Sequence, residues 1–216
     1  MVNPQSSTYQ GEWPWHVAIY STASGNQRYI CGGTLISRRV IITAAHCATN
    51  ENTRREWSPE ELVVYLGKHS LPRGWSVSNG VQIDAEITSY VRLICLWPQQ
   101  EKDIRTLKGQ LGTVVGWGID STYQRSLQLT RVDLPVRSYE ECVRSNRDFF
   151  SRYLVDKTGG GMVFQINNRW FLRGLVSTAV KLSDKIRVCN PEHYTVFVDV
   201  AQYRDWIEDN QPENVN

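Results

Sequence analysis

Two runs, Cys31-Gly32-Gly33-Thr34-Leu35-Ile36-Ser37 and Val40-Ile41-Ile42-Thr43-Ala44-Ala45-His46-Cys47, decide the reading of this chain. They read as two apolar strands joined by the polar turn Ser37-Arg38-Arg39. Two cysteines bracket the unit, and a histidine sits beside the second one, after two small residues that let the chain turn tightly. A disulfide between Cys31 and Cys47 would close a short loop and fix where His46 points. A positioned imidazole is what general base catalysis needs.

Outward from this unit the pattern stays β-rich. Gly11 to Tyr20 reads as a turn and a strand, Leu62 to Gly67 as another strand, and Val81 to Ile83 as the start of a fifth. Tyr90 to Pro98 leads into a polar linker, Gln99 to Gln110. A second β unit opens at Gly112-Thr113-Val114-Val115-Gly116-Trp117-Gly118. It continues through Leu127 to Val136, Gly160 to Asn167, Trp170 to Val180 and His193 to Val198, with a hairpin turn at Asn167-Asn168. Ser138-Tyr139-Glu140-Glu141 is a capping box for one short helix toward Phe150. Asp199 can cap a last helix, whose apolar stripe is Val200, Tyr203, Trp206 and Ile207. Many strands, two β units and one terminal helix predict an all-β chain of two packed antiparallel β-barrels with a C-terminal helix. The expected division is 1–98 first barrel, 99–110 linker, 111–198 second barrel and 199–209 helix.

Composition sets outer bounds. The chain has 216 residues, 41% of them hydrophobic, which suffices for one large domain or two small ones. The net charge of +2 leaves no nucleic-acid footprint. No apolar run is long enough to span a membrane, and no secretory signal is visible at Met1 to Gln5. There are five cysteines, Cys31, Cys47, Cys95, Cys142 and Cys189, and no C-x-x-C spacing. Neither a metal nor a cofactor is expected.

The His46 loop closely resembles the catalytic-histidine loop of trypsin-like serine proteases, the chymotrypsin-fold family. The Trp13-Pro14-Trp15 opening, Leu93-Ile94-Cys95-Leu96, Gly116-Trp117-Gly118, Gly159 to Phe164 and the helix Tyr203-Arg204-Asp205-Trp206-Ile207 extend the resemblance along most of the chain. The flavour is that of arthropod regulatory or clotting-cascade proteases. The resemblance implies an extracellular protein with protein partners or protein substrates in a proteolytic cascade. It also implies His46 as general base and a Cys31–Cys47 disulfide.

The rest of the family's catalytic pattern does not follow. Such chemistry needs a His, an Asp that orients it and a Ser that attacks the carbonyl. For the Asp role only Asp84 is available, and the apolar run that should follow it is absent. Asp103 falls after Cys95, in the linker. The family's Gly-Asp-Ser-Gly-Gly is replaced by Asp156-Lys157-Thr158-Gly159-Gly160-Gly161. If the glycines align, Thr158 stands at the nucleophile position; otherwise Asp156-Lys157-Thr158 is an upstream loop joined directly to Gly159. The residues that match Cys142 and Cys189 have partners in the segment absent before Gly159, and the residue that matches Cys95 ties to an upstream chain. All three cysteines are therefore expected to be unpaired. Each barrel is expected to be about one strand short, with open edges beside Leu62 to Leu66 and Gly160 to Phe164. Ser177-Thr178-Ala179 resembles the family's substrate-pairing strand, with Thr178 and Ala179 where a Trp and a Gly are usual. The expected function is that of a non-catalytic serine protease homologue. The alternative is an active serine endopeptidase whose Asp and Ser segments are missing from this chain through splicing, truncation or gene modelling.

Overall fold

A computed structural model describes residues 6–50, 53–71, 87–118, 126–152, 160–179 and 193–211. The chain is mostly β, in two sheets with a short C-terminal helix. In chain order the strands are β1 (Ser6–Ser7), β2 (His16–Ser21), β3 (Arg28–Leu35), β4 (Ile41–Ile42), β5 (Leu62–Leu66), β6 (Cys95–Leu96), β7 (Leu111–Gly116), β8 (Thr130–Pro135), β9 (Gly161–Ile166), β10 (Arg169–Ala179) and β11 (Thr195–Asp199). The helices are α1 (Tyr139–Ser145), α2 (Arg147–Arg152) and α3 (Arg204–Asp209). None among the described residues is long and apolar enough to cross a membrane.

The first sheet runs β4-β3-β2-β5 and the second β1-β8-β7-β9-β10-β11. Pairing is antiparallel except for β6, which lies parallel to β10 through Cys95↔Phe171 and Leu172↔Leu96. Strand alternation sorts the side chains into cores. On β2, Val17 and Ile19 pack with Cys31, Leu35, Ala44 and Cys47 under the first sheet. Ala18 and Tyr20, on its opposite face, join Val115, Trp117, Val163, Leu172 and Leu175 in a core drawn from both sheets. On β9 the same rule sends Val163 to that shared core and Met162 and Phe164 to a third, with Trp97, Leu107 and Ala201. β2 therefore has no solvent face, and all six of its residues are buried.

Local signals explain the connections. Asn167 and Asn168 take φ of 48° and 61° between β9 and β10, as a two-residue hairpin loop requires. At the start of α1 the Ser138 amide donates to Glu141 Oε2 (2.9 Å) and the Glu141 amide donates to Ser138 Oγ (3.3 Å). The single helix expected toward Phe150 is two. Asn146 breaks it at φ −157°, and its Oδ1 accepts from the Phe149 amide, so the side chain competes with the helical ladder.

One expected open edge is absent. β9 lies between β7 and β10, so Gly160 to Phe164 is an interior strand rather than an exposed one. β5 pairs with β2 alone among the described residues.

Candidate active site

His46 sits in a 3₁₀ turn, Ala45–Ala48, that follows β4. Small residues Ala44 and Ala45 let the strand turn at once into it, and the Cys47 amide closes it on the Ala44 carbonyl (2.9 Å). Cys31, on β3, is bonded to Cys47 with a Cα–Cα distance of 5.8 Å and a sequence separation of 16. Both cysteines are buried, at 3% and 2% exposure, so the covalent tie is anchored in the first core. Thr43 Oγ1 adds a hydrogen bond to the Gly32 carbonyl (2.8 Å). A ring nitrogen of His46 and both sulfurs lie within 4.8 Å of one another. The half-buried imidazole is thus fixed through its neighbour, as the sequence reading of the loop requires.

The residues considered for the other two catalytic roles, Asp84 and Thr158, lie outside the described residues, as does Cys189. Asp103 is placed in the linker. It caps the 3₁₀ turn Ile104–Leu107 by accepting from the Arg105 amide (2.9 Å), and both its oxygens take bonds from the Arg105 guanidinium. Those bonds hold its carboxyl down at about 2. Asp103 therefore serves its own turn.

Cys95 and Cys142 carry free thiols. Burial, with the Glu141 carboxylate beside it, pushes the Cys142 thiol up. We expect peptide mapping of alkylated native protein to find Cys31 and Cys47 protected and Cys95 modified. Cys142 should be labelled slowly near neutral pH and faster as the pH rises, because only the thiolate reacts. A Cys31 that alkylates without prior reduction would contradict the assignment.

Two sites escaped the sequence reading. The first is His16, on the β2 face that looks toward the second sheet. It is buried at 4% exposure, its ring centroid is 5.1 Å from that of Trp117, and its Nε2 has no hydrogen-bond partner. A Cβ on Gly32 would come within 3.0 Å of its Cε1, and one on Gly160 within 3.9 Å. The histidine fills a slot that two glycines leave open, and desolvation lowers its pKa to about 4. The second is Arg173, at 2% exposure. Its Nε and Nη2 donate to the two oxygens of Asp199 (2.8 and 3.0 Å), and Nη1 and Nη2 donate to the carbonyls of Glu101 and Lys102 (3.0 and 2.7 Å). The guanidinium also lies 4.8 Å from the centre of the Trp97 ring. One side chain thus pins the linker to β10 and β11. Its signal was present in the sequence: a lone charge inside the apolar run Trp170 to Val176.

Beyond Leu175 the strand β10 runs on without β9. It takes one more bond, Val176 amide to Gly160 carbonyl (2.9 Å), and then pairs only with β11 through Thr178↔Val196 and Ala179↔Thr195. Among the described residues, the other side of Ser177–Ala179 has no strand partner. Thr178 is buried, with a side-chain hydroxyl that has no hydrogen-bond partner.

Comparison with known proteins agrees with this architecture. The sequence pattern of the family described as Trypsin matches residues 2–207. The chain is 27% identical over 275 residues to Serine protease gd of Drosophila melanogaster, with 93% of this chain and 51% of that protein covered. It is 28% identical over 257 residues to Phenoloxidase-activating factor 1 of Holotrichia diomphalia, with 94% of this chain and 68% of that protein covered. CLIP domain-containing serine protease B15 of Anopheles gambiae is 26% identical over 254 residues, with 93% and 67% covered. The chain thus spans about half to two thirds of these relatives. Each alignment is also longer than the 216 residues of this chain, so each relative has residues inside the matched region that find no counterpart here. With two sheets around a shared core, a disulfide-anchored histidine turn and a match over nearly the whole length, the chain belongs to the trypsin family of serine proteases.

Proposed function

We propose that this chain is a non-catalytic serine protease homologue that binds protein partners in an extracellular proteolytic cascade. The observation that carries this is that the family's Gly-Asp-Ser-Gly-Gly occurs nowhere in the sequence, where Gly159-Gly160-Gly161 is preceded by Asp156-Lys157-Thr158. A positioned base without an activated serine cannot form an acyl intermediate. Among the described residues the side of Ser177–Ala179 away from β11 has no strand partner, which supports a binding role, because a strand edge takes up an extended peptide through main-chain hydrogen bonds. The division into a first barrel (1–98), a linker (99–110), a second barrel (111–198) and a terminal helix (199–209) is part of the same proposal.

The lengths of the alignments favour a second reading, in which the locus encodes an active endopeptidase and this chain lacks its Asp and Ser segments. Transcript sequence across Ile83–Tyr90 and Thr158–Gly159 decides between the two. For the chain itself, we expect no turnover of Arg, Phe or Ala amide substrates and no labelling by a fluorophosphonate serine probe. His46→Ala should then change no rate. Labelling that disappears in Thr158→Ala would overturn the non-catalytic reading.

A further inference from the structure

The Cys31–Cys47 pair has a third metal-binding donor beside it. A ring nitrogen of His46 and the two sulfurs lie within 4.8 Å of one another. Among the described residues no other three His, Cys, Asp or Glu side chains converge in this way. Two thiolates and an imidazole are a ligand set for tetrahedral zinc, with Zn–S of about 2.3 Å and Zn–N of about 2.0–2.1 Å. Those lengths set the donors roughly 3.5–3.8 Å apart. With the sulfur–sulfur bond open, rotation about the two Cα–Cβ bonds parts the sulfurs to that spacing, and a small swing of the imidazole completes it.

The backbone holds the three donors together without the disulfide. Cys31 lies inside β3, paired with Ile19 of β2. β3 is joined to β4 through Thr34↔Ile42 and Leu35↔Ile41, and Thr43 Oγ1 donates to the Gly32 carbonyl (2.8 Å). The turn that carries His46 and Cys47 is closed by the Cys47 amide on the Ala44 carbonyl (2.9 Å). On its far side the Thr49 amide donates to the His46 carbonyl (3.3 Å) and the Trp57 amide to the Ala48 carbonyl (2.9 Å). None of these bonds needs the covalent tie. Charge also fits the place. Zn²⁺ with two thiolates and a neutral imidazole carries no net charge, so it is compatible with sulfurs buried among Val17, Ile19, Leu35 and Ala44. Exposed Ala45 and half-buried His46 form the side by which an ion enters.

We propose that Cys31 and Cys47 in their thiol form bind Zn²⁺ together with His46, so that the ion fixes the histidine turn in a chain whose disulfide is not yet closed. The spacing Cys31 to His46-Cys47 matches no C-x-x-C pattern, which is why no metal is expected from the sequence. A small-molecule disulfide ends the state by taking two electrons from the thiolates. The Cys31–Cys47 bond forms, the bond of the small disulfide breaks to two thiolates, and Zn²⁺ leaves. Ion and disulfide are thus alternatives for one task, and the inference is independent of whether the chain cleaves peptides.

The full chain with Cys95, Cys142 and Cys189 changed to Ser tests it. A water-soluble phosphine in urea reduces the disulfide, giving two thiols and, with the oxygen of water, the phosphine oxide; dilution without air refolds the chain. We expect one Co²⁺ per reduced chain, with thiolate-to-cobalt charge-transfer absorption and the strong visible bands of a tetrahedral ion, both lost when Zn²⁺ displaces it. Oxidised protein should show neither. Zn²⁺ should raise the melting temperature of the reduced chain and leave that of the oxidised chain unchanged. Cys31→Ser should lose most of the charge-transfer absorption. His46→Ala should keep it but bind on the order of a hundredfold more weakly, since even outer-shell partners are worth about that much. His46→Cys should restore tight binding with stronger charge-transfer absorption. Near-ultraviolet circular dichroism shows which samples are folded. A reduced chain that folds without giving the charge-transfer band overturns the inference. So does one that stays unfolded even with Zn²⁺, because the ion then does not hold the turn. Bands that persist in Cys31→Ser, or an unchanged affinity in His46→Ala, overturn it by placing the ion on other donors.

Discussion

Asp199→Ala is expected to destabilise the chain by about 3–5 kcal/mol, the usual cost of leaving a buried ion without its partner. Arg173 is at 2% side-chain exposure, Asp199 at 25%. The loss therefore falls mainly on the arginine. Its two remaining bonds go to neutral carbonyls of Glu101 and Lys102, which cannot balance the charge. A second contribution comes from the helix end: Asp199 also accepts from the Ala201 amide (3.3 Å), at the start of the turn that leads into α3. For a domain of this size the melting temperature should fall by on the order of ten degrees. Asp199→Asn keeps the acceptor and the cap and should cost less than Asp199→Ala. Urea titration of the two variants checks this ordering. A loss of under about 1 kcal/mol in Asp199→Ala would mean that the linker relaxes to let water reach the guanidinium.

His16 gives the chain an acid limit. Its pKa in the folded protein is about 4, against an ordinary value of 6.5. Between those values the unfolded chain binds a proton that the folded chain refuses. Stability is therefore full above about pH 7, falls as the pH drops toward 4, and is not lowered further by this group below that. The total amounts to about 3 kcal/mol, of which about 2 kcal/mol is gone by pH 5. The cause is geometric. Among the described residues Gly32, Gly160 and Trp117 pack on the ring, none of which can neutralise an imidazolium, and burial alone lowers its pKa. His16→Gln should flatten the dependence, measured as the difference in urea midpoint between pH 7 and pH 5 relative to the parent. An unchanged slope would show that water or a charge reaches the ring.

The sequence by itself determined the fold class, the histidine turn and most of the punctuation. The reason is that these are local signals. The Cys31 to Cys47 unit, the capping box at Ser138 and the Asn167-Asn168 turn each depend on residues close in the chain, and the structure places them accordingly. Residue counts in the nucleophile region are likewise a matter of the chain alone. Tertiary structure alone decided what depends on which elements meet. Gly160 to Phe164 reads as lying beside an open edge, but β7 lies on its far side, paired through Thr113↔Val163 and Val114↔Met162 across about 50 residues of sequence. Leu107 lies in a linker read as polar, yet it is buried in the core with Trp97 and Phe164. His16 looked like one polar residue at the start of a strand. Only the meeting of two sheets, with glycines on either side, makes it a buried base whose Nε2 has no hydrogen-bond partner. Arg173 and Asp199 are 26 residues apart, and their pairing rests on the register of β10 against β11, set by a bulge between Val176 and Thr178 that no local pattern announces.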